Sequence, residues 1–196
     1  MRALDKAARV PSVFITGPVR SGKSRFAERL ASERGGEVVY VATARRDPDD
    51  GEWTERIARH AAQRPKEWAL VETAGGAGPV DALAMLAAQA SPAQTLIVDS
   101  LGTWLADLML REPDPGALDA RAQAVVRALV ATRAHAIVVG EEIGWGIVPV
   151  TPVGRLFRDV LGRAQQRLAA GSVAAYLVVA GFAIDLKTAG RPVGEL

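Results

Sequence analysis

The stretch Gly17-Pro18-Val19-Arg20-Ser21-Gly22-Lys23-Ser24 decides the fold class of this 196-residue chain. It fits the spacing G-x-x-x-x-G-K-[ST] completely and directly follows the apolar run Val13–Thr16. Loops of this kind turn successive backbone N–H groups toward phosphate oxygens at the beginning of a helix. The lysine supplies a cation for the β- and γ-phosphates, and the final hydroxyl can bind Mg²⁺. The sequence therefore predicts a P-loop that binds a nucleoside triphosphate.

An acidic residue at the end of a second buried strand is the usual companion of a P-loop. The run Leu96-Ile97-Val98 ends at Asp99, which is placed to hold Mg²⁺ directly or through water. We therefore expect Lys23 to act in catalysis, and Ser24 and Asp99 to bind the metal ion. An aspartate that caps the following helix through its side chain is the alternative role for Asp99.

Five short apolar runs predict the strands of a central sheet. They are continuous and rich in β-branched residues, a pattern typical of strands that are covered on both faces, as in a parallel sheet. They occupy residues 13–16, 38–42, 95–98, 136–139 and 176–180. Helices are predicted over 23–34, 52–63, 81–89, 101–110, 117–133 and 151–169, and loops over 47–51, 75–79 and 111–116. Together with the P-loop, this alternation predicts an α/β fold, the three-layer P-loop NTPase (RecA-like) fold with a mostly parallel central sheet.

Length and composition narrow the class of protein further. A chain of this length is expected to form one domain, so we predict a flexible N-terminal extension over 1–11 and a single nucleotide-binding catalytic domain over 12–196. Cysteine is absent, which excludes disulfides, thiolate metal sites and a cysteine nucleophile. The two histidines, His60 and His135, are too few for a zinc site built from this chain alone.

Charge and hydropathy indicate where the protein works. Lys and Arg number 24 against 22 for Asp and Glu, and most arginines are scattered among the acids. A nucleic-acid-binding surface concentrates positive charge on one face, so we expect no nucleic-acid partner. The N-terminus lacks the apolar core of a signal peptide, and the longest apolar runs are shorter than the ~20 residues that span a bilayer. We therefore expect a cytoplasmic protein without a membrane span.

The absence of asparagine excludes one large class of P-loop proteins. Switch GTPases need an N-K-x-D-type element to read guanine, and this chain cannot supply it. Motor ATPases and recombinases normally carry further domains or a basic DNA track, and neither is evident. A small-molecule kinase or transferase is therefore the leading class.

Several segments beyond the P-loop resemble one enzyme family. They are 40–43 (YVAT), 56–65 with Trp68 and Glu72, 142–149 (EIGWGIVP), and 157–169 with its Phe157-Arg158-Asp159. The similarity runs in order over about residues 12–187. The family is the bifunctional adenosylcobinamide kinase/adenosylcobinamide-phosphate guanylyltransferase of cobalamin assembly.

This resemblance implies two reactions and an assembly. In the first reaction, ATP or GTP phosphorylates the hydroxyl of the aminopropanol arm of adenosylcobinamide. In the second, GMP passes from GTP to that phosphate through a covalent guanylyl-histidine, with release of pyrophosphate. His60 matches the nucleophilic histidine, and imidazole is a good nucleophile near neutral pH. From the residues alone, the favoured interpretation of His60 is an ordinary half-buried helix residue on the face of Trp53 and Ile57, and His135 reads as structural. The resemblance also implies a homo-oligomer, with a trimer as the expected state.

The resemblance further implies where the guanine nucleotide binds. Besides the P-loop, the matching contacts fall on Thr43, Ala44, Arg45, Ala61, Ala62, Gln63, Arg64, Glu72 and Asp99. The guanidinium of Arg64 suits phosphate because its donors form a fixed fork. Glu72 could accept hydrogen bonds from guanine or from a ribose hydroxyl. A surface arginine and a strand-end carboxylate remain the alternatives. Glu142 is a possible base for the cobinamide hydroxyl, with helix-entry capping or a surface salt bridge as its alternatives.

The chain departs from the family pattern at two positions. Glu141 and Gln165 stand where the family often has asparagine. A carboxylate in place of an amide changes both charge and hydrogen-bond donation, so the change at Glu141 bears on phosphorylation and corrinoid binding. The P-loop and the segment around His60 keep the pattern, which makes guanylyl transfer the better-supported reaction.

Three rival functions stay open. A monofunctional P-loop small-metabolite kinase would use the same loop and leave His60 idle. A nucleic-acid-stimulated ATPase would show turnover that rises with DNA or RNA and depends strongly on salt. A non-catalytic sensor would bind GTP without consuming it.

Overall fold

Strands and helices alternate along the chain. The computed structural model describes residues 12–47, 49–62, 64–73 and 82–194, apart from the side chains of Arg56 and His60. The strands are β1 Val13–Thr16, β2 Glu37–Ala42, β3 Ala69–Glu72, β4 Gln94–Asp99, β5 His135–Val139, β6 Ala174–Val179 and β7 Phe182–Asp185. The helices are α1 Lys23–Arg34, α2 Gly51–Ala62, α3 Ala82–Gln89, α4 Leu101–Arg111, α5 Pro115–Ala131, α6 Pro152–Gly171 and α7 Leu186–Ala189.

The strands form one seven-stranded sheet in the order β3-β2-β4-β5-β1-β6-β7. Every neighbouring pair is parallel except β6 and β7, which form an antiparallel hairpin. The P-loop connects β1 to α1, and β5 lies between β1 and β4. The predicted fold class, a three-layer P-loop NTPase (RecA-like) fold with a mostly parallel sheet, is confirmed.

Alternate residues of the buried strands face two different apolar layers. On one face, Phe14 and Val98 pack with buried residues of α3 to α6, such as Leu105 and Leu161. On the other face, Ile15 and its neighbours pack against α1. Because both faces are covered, the strands read as unbroken apolar runs in the sequence.

The five predicted strands and six predicted helices are present, with bounds that shift by at most two residues. The loop predicted over 111–116 is wrong at both ends, since Arg111 still belongs to α4 and α5 already begins at Pro115. The carboxylate of Asp114 accepts the N–H of Ala117 at 2.6 Å, and proline suits the first helical position. Gly51, placed in a loop by the sequence, opens α2, and Ala180, placed in a strand, lies in the β6–β7 turn.

Strands β3 and β7 and the short helix α7 were not predicted. The predicted extension over 1–11 and the predicted loop over 75–79 lie outside the described residues, and the division into an extension and one domain stays a prediction. None of the described helices has both the length and the apolar composition that crossing a membrane requires.

Candidate active site

The carboxyl ends of β1, β2, β4 and β5 converge on one cleft. Parallel strands bring the loops that follow them to the same edge of a sheet, where ligands of open α/β folds bind. Of the residues predicted for the site, the following line this cleft: Val19, Lys23, Ser24, Ala44, Ala61, Arg64, Glu72 and Asp99. Those that do not line it are Gly17, Pro18, Arg20, Ser21, Gly22, Thr43, Arg45 and Ala62. The His60 side chain and Gln63 lie outside the described residues.

The P-loop is fixed by the strands on either side of it. A Cβ at Gly17 would overlap the carbonyl oxygen of Val178 in β6, so only glycine fits there. The N–H of Glu142 donates to the carbonyl of Gly17 at 3.0 Å, and the N–H of Gly181 donates to the carbonyl of Ser21 at 3.0 Å. Gly22 has φ 99°, a left-handed conformation that glycine adopts without strain. The loop shape is therefore set by the sheet beneath it.

The beginning of α1 suits an anion. Its N-cap, Gly22, has no side chain to accept the first N–H groups, and its first turn contains no acidic residue. The N–H groups of a first helical turn lack partners within the helix and carry partial positive charge. The buried Ser21 hydroxyl has no hydrogen-bond partner among the described residues, and the Lys23 ammonium donates to the carbonyl of Pro18 at 3.2 Å. These groups fit the phosphates of a nucleotide.

Asp99 lies at the end of β4 and accepts a hydrogen bond from the Tyr40 hydroxyl at 2.5 Å. Burial raises the pKa of Tyr40, and the Asp99 carboxylate raises it further, so the phenol stays a donor. The guanidinium of Arg64 stacks over the Tyr40 ring, 3.7 Å from its centroid. The cap of α4 is Ser100, whose hydroxyl accepts the N–H of Thr103. The alternative in which Asp99 caps α4 is therefore not supported.

Both departures from the family pattern belong to one hydrogen-bond network. The Glu141 carboxylate accepts a short bond from the Ser100 hydroxyl and the N–H of Gly102 at 2.8 Å. Gln165 donates to the Glu141 carbonyl at 2.9 Å and accepts from the Thr16 hydroxyl at 3.0 Å. Burial raises the pKa of Glu141, while the Ser100 hydrogen bond and Lys23 oppose that rise. The network joins the ends of β1, β4 and β5 beneath the cleft.

The side chain of Thr43 supports the site from below. Its hydroxyl donates to the carbonyl of Ser100 at 2.6 Å and accepts the N–H of Ser100 at 2.7 Å. Thr43 is fully buried and does not line the cleft. It therefore ties the end of β2 to the end of β4 and positions the turn that follows Asp99.

At the cleft entrance, Glu72 is paired with a residue that sequence analysis missed. Arg46 donates to the Glu72 carboxylate at 2.6 Å, and both side chains are about half exposed. The indole of Trp53 in α2 donates to the carbonyl of Arg45 at 2.8 Å. Arg46 directly follows residues 43–45, which were predicted to contact the nucleotide, and this adjacency is the sequence signal that could have identified it.

The two remaining predicted residues have structural partners. The Glu142 carboxylate accepts the N–H groups of Gly144 and Trp145, at 2.5 and 3.2 Å, so it closes its own loop. It does not cap a helix, since α6 begins at Pro152 with Thr151 as its cap. His135 is buried at the beginning of β5 and pairs with Thr95 of β4, in agreement with a structural role. Tyr40, by contrast, contacts the site and was missed, although it begins the family-like segment 40–43.

Comparison with known proteins places these observations in one family. A family model described as cobinamide kinase / cobinamide phosphate guanyltransferase matches residues 13–186. The bifunctional adenosylcobalamin biosynthesis protein CobP of Pseudomonas aeruginosa is 38% identical over 179 residues, which cover 91% of this chain and 98% of that protein. The CobU proteins of Escherichia coli and Salmonella typhimurium, which carry the same description, are 32% and 33% identical, and each comparison covers 89% of this chain and 99% of the relative.

Two solved structures are also similar in part. A KaiC-like protein from Pyrococcus horikoshii OT3 is 16% identical with a TM-score of 0.47, over 86% of this chain and 71% of that one. An ATPase from the type III secretion system of pathogenic bacteria is 11% identical with a TM-score of 0.49, over 93% of this chain and 59% of that one. The sequence relatives, in contrast, match over nearly their full length. The chain therefore belongs to the cobinamide kinase / cobinamide phosphate guanyltransferase family.

Proposed function

We propose that this protein phosphorylates adenosylcobinamide with ATP or GTP and then transfers GMP from GTP to the adenosylcobinamide phosphate. The products are adenosylcobinamide-GDP and pyrophosphate. The observation that carries the proposal is the cleft in which the P-loop, Asp99 and Arg64 meet, in a chain matched by the family model over residues 13–186. Groups suited to phosphate, from the P-loop and Arg64, thus line one cleft with a carboxylate suited to a metal ion.

Lys23 and the beginning of α1 would bind the phosphates, and Arg64 would bind a phosphate near the segment that follows α2. The hydroxyl of Ser24 and the carboxylate of Asp99 line the same cleft, and oxygen donors of these two kinds fit Mg²⁺. Bound there, Mg²⁺ would neutralise charge on the nucleotide phosphates. The hydrogen bond from Tyr40 holds one oxygen of Asp99 in place, which fixes the orientation of the carboxylate toward the cleft.

His60 is the proposed nucleophile for the transfer of GMP. It belongs to α2, and three other residues of that helix, Trp53, Ile57 and Ala61, line the cleft. A ring nitrogen of His60 would attack the α-phosphorus of GTP, which forms an N–P bond as the bond to pyrophosphate breaks. An oxygen of the acceptor phosphate would then displace the histidine, which leaves as neutral imidazole. A covalent intermediate divides one difficult displacement into two easier ones.

A labelling experiment tests this step. The protein is incubated with Mg²⁺ and GTP labelled at the α-phosphate, beside a parallel sample with γ-labelled GTP. We expect the α-label on the protein and no γ-label, with a bond that acid cleaves and alkali does not. The label should be absent from His60→Ala and retained by His135→Gln, which changes the only other histidine of the chain. Tight GTP binding without any covalent label would favour the monofunctional kinase or the sensor instead.

The partners proposed for the protein are small molecules and further copies of the same chain, with a trimer as the expected assembly. The family match supports the small-molecule substrates. The trimer, the absence of a nucleic-acid partner and the cytoplasmic location stay predictions from the sequence.

A further inference from the structure

Glu141 belongs to the walls of two neighbouring cavities. One is the nucleotide cleft, where it lies with Lys23, Ser24 and Asp99. The other lies toward α6 and is lined by Thr16, Glu142 and Gln165 among others. Of the residues that the structure describes, Glu141 alone lines both cavities. A phosphoryl donor in the first cavity and an acceptor in the second would therefore lie on either side of this residue.

The position of the Glu141 carboxylate is fixed by its partners. One oxygen accepts from the Ser100 hydroxyl and the other accepts the N–H of Gly102, so both bonds come from the turn that begins right after Asp99. Its backbone carbonyl is held by Gln165 of α6. Each carboxylate oxygen can accept two hydrogen bonds, so these contacts leave capacity for a further donor. A carboxylate held in this way is oriented before a substrate arrives.

The surroundings also favour proton uptake. Burial raises the pKa of Glu141 and the nearby Asp99 raises it as well, whereas the Ser100 hydrogen bond and Lys23 lower it. A carboxylate that is less acidic than usual is a stronger base near neutral pH. An amide, which the family often has at this position, can orient a hydroxyl but cannot accept its proton.

The other carboxylates near the site are less suited to this task. Glu142 also lines the second cavity, but its carboxylate accepts the N–H groups of Gly144 and Trp145 and so closes its own loop. Asp99 accepts from Tyr40 and is the residue proposed to bind Mg²⁺. Glu141 is the remaining acid that reaches both cavities.

We propose that Glu141 is the catalytic base of the phosphorylation reaction, an inference that rests on the proposed function. The acceptor hydroxyl oxygen attacks the γ-phosphorus, and a new O–P bond forms. The bond from that phosphorus to the β-phosphate oxygen breaks, and its electron pair leaves on the nucleoside diphosphate. The hydroxyl proton passes to the Glu141 carboxylate, which later releases it to water.

The two reactions of the enzyme differ in their need for this base. In GMP transfer the acceptor is a phosphate monoester, which is largely dianionic at neutral pH and has no proton to give up. Glu141 therefore accepts a proton in phosphorylation and has none to accept in GMP transfer. This difference separates a chemical role from a structural one, because a misfolded cleft would impair both reactions.

The test compares both reactions in Glu141→Gln, a neutral variant of nearly the same shape. Phosphorylation of adenosylcobinamide by ATP and transfer of GMP from GTP to adenosylcobinamide phosphate are assayed separately. We expect kcat for phosphorylation to fall about 10- to 100-fold. This loss is at the low end of the range for removing a general base, because phosphoryl transfer has a loose transition state that depends little on proton removal. The KM for ATP and the rate of GMP transfer should each stay within about twofold of the wild-type values, since neither ATP binding nor GMP transfer requires the carboxylate to accept a proton.

A second neutral variant and a matched control complete the experiment. Glu141→Asn should show the same selective loss, and it replaces Glu141→Gln if that variant does not fold. Glu33→Gln, which changes an exposed glutamate of α1, should leave both reactions unchanged. Full phosphorylation by the neutral variants, an equal loss of both reactions, or selective loss in Glu142→Gln instead would overturn the proposal. A wild-type protein without either reaction would instead refute the proposed function itself.

Discussion

Three carboxylates lie in or near the phosphate-binding end of the cleft, and each has a different set of partners. Asp99 accepts from Tyr40, and Glu141 accepts from the turn at Ser100. Glu28, on the α1 side of the sheet, has a pKa raised by burial first and by Asp99 second, while Arg64 and Arg25 oppose the rise. Acidic groups thus crowd beside a site for anions, and the cations Arg64 and Lys23 oppose the pKa rises of Glu28 and Glu141, respectively.

The raised pKa of Glu28 predicts a pH dependence of stability. The folded state binds the proton of the Glu28 carboxyl more tightly than the unfolded state does. Protonated Glu28 therefore contributes its full stabilisation below the usual pKa of 4.5, and this stabilisation is lost as the pH rises through the raised pKa. Glutamine cannot titrate. The free energy of unfolding of Glu28→Gln, relative to that of wild type, should therefore increase from pH 5 to pH 8.

Urea denaturation at the two pH values measures this change. Glu33→Gln is the matched control, because Glu33 lies in the same helix but its side chain is 64% exposed, and it pairs with the equally exposed Arg29 at 3.6 Å. Its stability relative to wild type should be the same at both pH values. A Glu28→Gln difference that stays constant, or that shrinks as the pH rises, would contradict the assignment.

Helix α6 contains two glycines, Gly162 and Gly171, whose surroundings differ. A Cβ added at Gly162 would meet nothing within 4 Å, whereas at Gly171 it would lie 2.7 Å and 2.8 Å from the two methyl groups of Val130. Glycine inside a helix costs about 0.5–1 kcal/mol relative to alanine. We expect Gly162→Ala to raise the free energy of unfolding by about that amount. Gly171→Ala should lower it by about 1–3 kcal/mol, because Val130 must shift.

Urea midpoints of the two variants, with unchanged slopes of the transition, give this comparison. Each variant serves as the control for the other, since both make the same chemical change in the same helix. Equal stabilities for the two variants would show that the contact between α6 and Val130 of α5 is looser than the structure has it.

The sequence predicted the central elements well and the edge elements poorly, for a physical reason. Buried strands such as β4 and β5 must be apolar throughout, so their sequences are unambiguous. Strands β3 and β7 lie at the two edges of the sheet, where Leu70 is 50% exposed and Phe182 is 78% exposed. Short edge strands depend on their neighbours more than on their own composition, so no local pattern revealed them.

Across the whole molecule, the parts of the candidate site that are continuous in sequence were predictable, and the contacts between segments distant in sequence were not. The P-loop is continuous in sequence, and Asp99 directly follows an apolar strand. The Thr16–Gln165 hydrogen bond spans 149 residues and the Ser100–Glu141 bond spans 41. Nothing in the sequence marks Glu141 and Gln165 as members of one network, because only the folded sheet brings these strand ends together.

The central claim is that one cleft carries out both phosphorylation and GMP transfer on a corrinoid. Its most direct test incubates the protein with adenosylcobinamide, ATP, GTP and Mg²⁺, and follows the corrinoid by mass spectrometry while pyrophosphate is assayed. We predict that the corrinoid gains first a phosphoryl group and then GMP, with one pyrophosphate released for each GMP transferred, and that Lys23→Ala abolishes both steps. Corrinoid that is recovered unchanged, although the protein binds or hydrolyses the nucleotides, would contradict the claim.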